Sequence, residues 1–233
     1  MTTPIHIDFV SDVSCPWCAI GLWSLETALA RLGDEVAVSL TFQPFELNPH
    51  MEPGGQDITE HLTQKYGSSP EQQAQIRATL RERGAAVGFA FHPDGRGRIY
   101  NTFNAHRLLH WAAAVDEAQG SHHQQALKKA LMTACHTHQQ AMDQDEVLLQ
   151  AAVQVGLPAD AAREVLGSDA HASGVRHAQM IYQNAGIQAV PAVVLDRQYL
   201  ISGGQPAEVY EQAIRRLAQE KAGTTAPQPQ QGE

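Results

Sequence analysis

The sequence predicts an α/β protein whose small sheet is interrupted by a large all-helical insertion. Three observations carry this. A strand, a helix and a second strand occupy residues 5–45; residues 57–186 carry helical periodicity; two strands and a helix follow from residue 187. The expected division is a sheet-forming part at 1–56, a helical insertion at 57–186, the second part of the sheet domain at 187–222 and a disordered tail at 223–233.

Residues 5–11 (IHIDFVS) are rich in β-branched and apolar side chains and read as a strand. Cys18, Leu22, Leu25, Leu29 and Leu32 recur in steps of four and three, one face of a helix that stops at Gly33. VAVSLTFQPF (36–45) alternates as a second strand. A helix between two neighbouring strands makes them parallel.

Asp57 with Glu60 reads as a capping box for a helix ending near Gly67. Ser69-Pro70-Glu71-Gln72 is a second start signal: a cap, a first-turn proline and a glutamine three residues on. Segment 88–98 (GFAFHPDGRGR) reads as a loop, and no strand is expected inside the helical block. Leu108, Leu109, Ala112 and Val115 form one apolar stripe; Leu127, Ala130, Leu131 and Ala134 form another. Asp143 with Glu146 is expected to open the next helix, Pro158 a short one, and roughly 169–185 another that ends at Gly186.

AVVL and YLIS read as two strands joined at Asp196-Arg197, with a turn at Gly203-Gly204. Pro206 begins a final helix with Val209, Ala213, Ile214 and Leu217 as its buried side. TTAPQPQQGE has nothing to bury.

A length of 233 residues suits one large domain, or a core domain with an insertion. An apolar fraction of 43% excludes a wholly disordered chain. Lys+Arg 16 against Asp+Glu 25 leaves a net charge of −9, which argues against nucleic acid and anionic membranes as partners. No apolar stretch approaches the length of a bilayer span. The start MTTPIHIDFVSDVSCPWC has no basic segment, no continuous apolar run and no small-residue cleavage site, so a cytoplasmic protein is expected. Three cysteines are too few for a disulfide framework, and in that compartment they should rest mostly reduced.

Cys15-Pro16-Trp17-Cys18 sits where the first strand gives way to the first helix. Cysteines three apart on a helical turn can bring their sulfurs within bonding distance. Cys15 would lie at the helix N-terminus, where unpaired N–H groups and the macrodipole favour a thiolate. Pro16 fits the first helical position, where its missing N–H costs nothing. Cys18, one turn inward, would attack a mixed disulfide on Cys15. Two other readings stand beside this: half of a zinc site, with Cys135-His136-Thr137-His138 as the candidate second half, and a pair of core cysteines. The strand-to-helix context favours redox chemistry.

Val190-Pro191 precedes the strand AVVL. It reads either as a plain loop proline or as a cis peptide facing the CxxC turn, which would offer the Val190 N–H and C=O to an extended substrate. His106 and His110 share a helical face but lack the Glu of HExxH, so packing is the expected role. His122-His123 is expected at a helix entrance, Phe103 and Trp111 in a core, and Asn48-Pro49 in a turn. Asp8 and Asp12 lie close in sequence to the thiols and would oppose a thiolate there.

The stretches SDVSCPWCAIG, PFELNP, NTFNAHRLLHWA, MDQDEVL and GIQAVPAVVLDRQYLISGGQP, in this order, resemble the DsbA family of thioredoxin-like proteins, and most closely its FrnE-like branch. The resemblance implies a thioredoxin fold with a helical insertion, Cys15 as nucleophile, Cys18 as resolving thiol and Pro191 as a cis-proline. Pro16, Trp17, Val190 and Gln205 would then complete the substrate-binding surface. Ala19 departs from the branch, which usually has Tyr there, and Cys135 stands at a position more often aromatic. Related 2-hydroxychromene-2-carboxylate isomerases and kappa-type glutathione transferases typically place Ser where this chain has Cys15.

The expected activity is thiol–disulfide exchange on protein or small thiols, with no metal or nucleotide cofactor. Glutathione is a candidate redox partner or ligand near Trp17, Val190 and Gln205. Two alternatives remain: a glutathione-dependent isomerase or transferase acting on a small aromatic or polyketide-like substrate, and a non-catalytic binding or chaperone-like protein. The apolar helices could also support a homodimer.

Overall fold

The structure, a computed structural model, describes residues 4–225. Strand β1 (Ile5–Ser11) lies at the centre of a four-stranded sheet and leads into helix α1 (Pro16–Leu32). Gly33 ends that helix with φ +48°, its N–H closing on Leu29 O. Strand β2 (Val38–Pro44) returns parallel to β1, with Phe42 opposite Phe9. On the other side of β1 runs β5 (Ala192–Leu195), antiparallel, and beyond it β6 (Tyr199–Ser202). The order is β2-β1-β5-β6. Asp196 and Arg197 both take positive φ to turn β5 into β6.

The final helix, numbered last in chain order as α9, spans Ala207–Thr225. It packs with α1 on one face of the sheet, burying Ile7, Phe9, Leu22, Leu25, Tyr210 and Ile214 in one core. The sequence placed Val209 inward. Val209 is exposed and Tyr210 takes the inward place, because one residue is a rotation of about 100° and a sparse stripe fixes the arc no better than that. The helix also passes the expected tail boundary at 223; residues 226–233 of that tail lie outside the described residues.

The insertion contains α2 (Ile58–Tyr66), α3 (Pro70–Ala86), α4 (Phe103–Gln119), α5 (His123–His136), α6 (Asp145–Gln154), α7 (Ala159–Leu166) and α8 (Ala172–Asn184). Asp57 Oδ1 caps α2 by accepting Glu60 N at 3.0 Å. Ser69 and Gln72 form a complete capping box on α3. Helix α6 starts after Gln144 rather than at Asp143, whose carboxylate instead accepts Gly54 N from across the chain. The strand-free block is also corrected: β3 (Gln56–Asp57) pairs antiparallel with β4 (Arg98–Ile99), so the loop read at 88–98 ends in a strand.

Leu108, Ala112, Leu127, Leu131, Leu148 and Val165 build a second core among α4, α5, α6 and α7. Burial of each leucine and valine among these contributes roughly 1.5–3 kcal/mol. Val13, from the turn between β1 and α1, belongs to this second core, while Met132 of α5 and Phe89 belong to the first. The β1–α1 turn is thus clamped between the two halves. Gln124 of α5 adds a further tie: its side chain donates to Phe42 O and accepts from Phe42 N, both at 3.0 Å, along the outer edge of β2.

Candidate active site

The seam between the two cores holds the CPWC turn. Cys15 is the N-cap of α1 in extended backbone, with Pro16 opening the helix. Its carbonyl accepts Cys18 N at 3.1 Å and Ala19 N at 3.4 Å, the first bonds of the helix. Both cysteines are free thiols and buried. Cys15 Sγ donates to Val190 O at 3.6 Å. The Val190–Pro191 peptide bond is cis, and Pro191 packs against α1 at Gly21, where a Cβ would come within 3.2 Å of Pro191 Cγ. The next turn presses closer still: a Cβ on Gly204 would meet Trp17 O at 2.8 Å. Tyr210 Oη stabilises that turn, donating to Gly203 O and accepting Gln205 N.

Trp17 is half-buried, and the Arg83 guanidinium lies 5.3 Å from the centre of its ring. Arg83 also reaches Gly204 O. Pro16, Trp17, Val190 and Pro191 therefore surround the thiols. Gln205 differs: its side chain folds back to donate to Ser202 O at 2.8 Å. Cys135 lies in the helical core, where the Arg96 guanidinium donates to its sulfur at 3.4 Å. Burial pushes its thiol up.

Beneath the CPWC turn, three separated sequence motifs meet at Asp12. Its carboxylate accepts Ser14 N at 3.1 Å and Leu47 N, from PFELNP, at 2.8 Å. His106 Nε2, from NTFNAHRLLHWA, stands 3.6 Å from Asp12 Oδ1. Burial works to raise the Asp12 carboxyl, but the His106 ring and the two backbone N–H groups outweigh it and hold it below the usual carboxylate range. Asp12 is thus a fixed anion that shapes the turn. Asp8 is engaged elsewhere, with His6 and Gln43.

The residue that sequence reasoning missed is Lys128 on α5. It is completely buried, and its Nζ contacts Ser11 O at 3.5 Å. Burial pulls its ammonium down to about 8 against the pull of Cys18, Asp12 and Cys15. Cys18 moves the other way: burial and the neighbouring Cys15 sulfur raise its thiol, and Lys128 partly counters them. The available signal was spacing. Gln124, Lys128 and Met132 fall four apart beside the apolar stripe, on one buried face.

A DSBA-like thioredoxin domain model matches residues 6–215. The chain belongs to the DSBA-like thioredoxin domain family. Within that family's fold, a structure described as a probable DsbA oxidoreductase from Streptomyces coelicolor is 34% identical, covers 96% of this chain and 92% of its own, and superposes with a TM-score of 0.81. A 2-hydroxychromene-2-carboxylate isomerase shares the fold at 14% identity, 95% and 100% coverage and a TM-score of 0.66. The cytosolic disulfide reductase DsbM of Pseudomonas aeruginosa, with GSH, does so at 14% identity, 92% and 99% coverage and a TM-score of 0.62. The DSBA-like fold explains the insertion: it interrupts the thioredoxin unit between β2 and β5. Among the described residues no helix is long and apolar enough to cross a membrane.

Proposed function

We propose that this DSBA-like protein is a thiol–disulfide oxidoreductase of FrnE-like type, acting through Cys15 and Cys18 on protein or small thiols in the cytoplasm. The observation that carries the reading is one piece of geometry: a cysteine capping a helix N-terminus, with its sulfur on the Val190 carbonyl and a second thiol buried one turn inward.

As a reductant, the Cys15 thiolate attacks a substrate disulfide. The substrate S–S bond breaks, one substrate thiolate leaves and takes a proton from water, and a mixed disulfide remains on Cys15. Cys18 loses its proton and attacks Cys15 Sγ. The Cys15–Cys18 bond forms, the second substrate thiolate leaves, and two electrons have passed to the substrate. A thiol reductant resets the pair. Trp17 and Arg83 at the mouth suit an anionic small thiol such as glutathione in that role.

Cys15→Ser should abolish reduction of insulin or glutathione disulfide. Cys18→Ala should trap mixed disulfides on Cys15, visible by mass spectrometry. Unchanged turnover in Cys15→Ser overturns the nucleophile assignment. Full activity in Cys18→Ala toward a small aromatic substrate with glutathione would favour isomerase chemistry instead.

A further inference from the structure

Helix α3 has 17 residues and buries only Gln73 and Gly84. Those two hold it at its ends. Gln73 donates to Thr59 O and Ser68 O, both at 3.2 Å, and so ties the start of α3 to α2. Gly84 ties its end to the first core, where a Cβ would meet Phe89 O at 2.7 Å. The residue before Gly84 is Arg83. Its guanidinium lies 5.3 Å from the centre of the Trp17 ring and donates to Gly204 O at 3.5 Å. Trp17 stands between the two cysteines in the chain, and Gly204 presses on the Trp17 carbonyl from the far wall. One exposed cation therefore touches both sides of the mouth.

Packing does not account for this placement. An exposed cation–ring contact adds little to stability, and α3 is already fixed on either side of it. Charge pairing does not account for it either. Exposed Arg31, Arg163 and Arg216 each hold a carboxylate, as arginines in an acidic chain ordinarily do. Among the described residues Arg83 has none: the ring and the one carbonyl are its partners. A guanidinium has five N–H donors, so most of them face solvent. Its neighbours leave it alone at the mouth. Glu82 is turned about 100° round the helix. Arg81 donates to Pro93 O at 3.2 Å, and Lys65 of α2 to Leu47 O and Asn48 Oδ1, both at 2.7 Å.

We propose that Arg83 is a specificity-determining residue, which selects disulfides that carry a carboxylate close to the S–S bond. The assignment rests on the dithiol reading above and names the substrate class of that site. The Trp17 ring holds the guanidinium flat, and its free N–H groups donate to the substrate carboxylate while Cys15 attacks. Arg83 takes no part in the exchange of electrons. It raises the chance that an anionic disulfide docks and lowers it for a cationic one. With a net charge of −9 the rest of the chain favours the opposite order, so one cation fixed at the mouth decides it.

Three disulfides of nearly equal size form the probe: dithiodipropionate, a dianion; hydroxyethyl disulfide, neutral; and cystamine, a dication. Oxidation of the reduced protein by each is followed by acid quench and mass spectrometry at low salt. The reading is the dianion-to-dication rate ratio within each variant, which cancels any general change in the thiols, with the neutral compound falling between. Arg83→Met should lower the ratio at least about fivefold, and Arg83→Glu at least about twentyfold. Arg81→Met should keep it within about twofold, because that side chain is turned away. An unchanged ratio in Arg83→Glu overturns the proposal, and so does an Arg81→Met effect as large as that of Arg83→Met. The dithiol reading is checked separately with the aromatic disulfide DTNB in stopped flow. Wild type should release thionitrobenzoate in two phases, the first from attack by Cys15 and the second from resolution by Cys18. Absence of the second phase marks failure of that reading, whatever the charge ratios show.

Discussion

Replacing Lys128 by methionine should make the protein more stable, by an amount that depends on pH. The substitution keeps the length of the side chain and removes the buried amine. In the unfolded chain a lysine has its ordinary value of 10.5, and in the fold it falls to about 8. At about 1.4 kcal/mol per pH unit, holding the ammonium inside costs about 3 kcal/mol at pH 7. Between 8 and 10.5 the unfolded chain binds more protons than the folded one. Wild-type stability therefore climbs with pH across that window, and the advantage of Lys128→Met shrinks across it. Urea denaturation under reducing conditions reads the difference. With a slope of about 3 kcal/mol per molar for a chain of this size, the midpoint should rise by about 1 M at pH 7. By pH 10 the gain should fall below about 1 kcal/mol. A variant less stable than wild type at pH 7, or a gain that does not change with pH, refutes the reasoning.

Gly204→Ala should cost about 1–3 kcal/mol, because the added methyl meets the Trp17 carbonyl, a backbone atom that cannot swing aside; thermal unfolding measures the loss, and a slower first phase with DTNB would show the displaced CPWC turn. His136→Gln should flatten the acid limb of the stability curve. His136 Nε2 donates to Val13 O at 3.0 Å, and burial holds the ring well below its ordinary value of 6.5. Unfolded histidine takes up protons below 6.5 while the folded ring does not, so wild type should lose stability between pH 6.5 and pH 5 that the variant retains. Equal slopes in urea titrations at the two pH values would count against it.

Much of the framework was legible because local and global signals agree. The β1–α1 junction combines a β-branched strand, a proline suited to a first helical turn and a leucine face that stops at a glycine. The Ser69 box announced α3 for the same reason: both of its bonds are local. What escaped reading depends on distance. β3 and β4 are two residues each and exist only because segments some forty residues apart meet, so no run could betray them. Asp143 looks like a cap until Gly54 arrives to use it. At the site, the CPWC sulfurs were readable as a motif. Lys128 was not, since a charged side chain on an amphipathic helix ordinarily signals water. Only its step of four from Gln124 and Met132 hinted otherwise.

Gln124 carries one more implication. A sheet has two borders, and here the β2 border meets an amide that satisfies both main-chain groups of Phe42, as a further strand would. Recruitment of a neighbouring chain by strand pairing is left to the opposite border, β6. Cutting out residues 57–186 would strip that plug from β2 and leave a rung open to self-association. The helical block therefore acts as a built-in seal, and the thioredoxin half is not an excisable module.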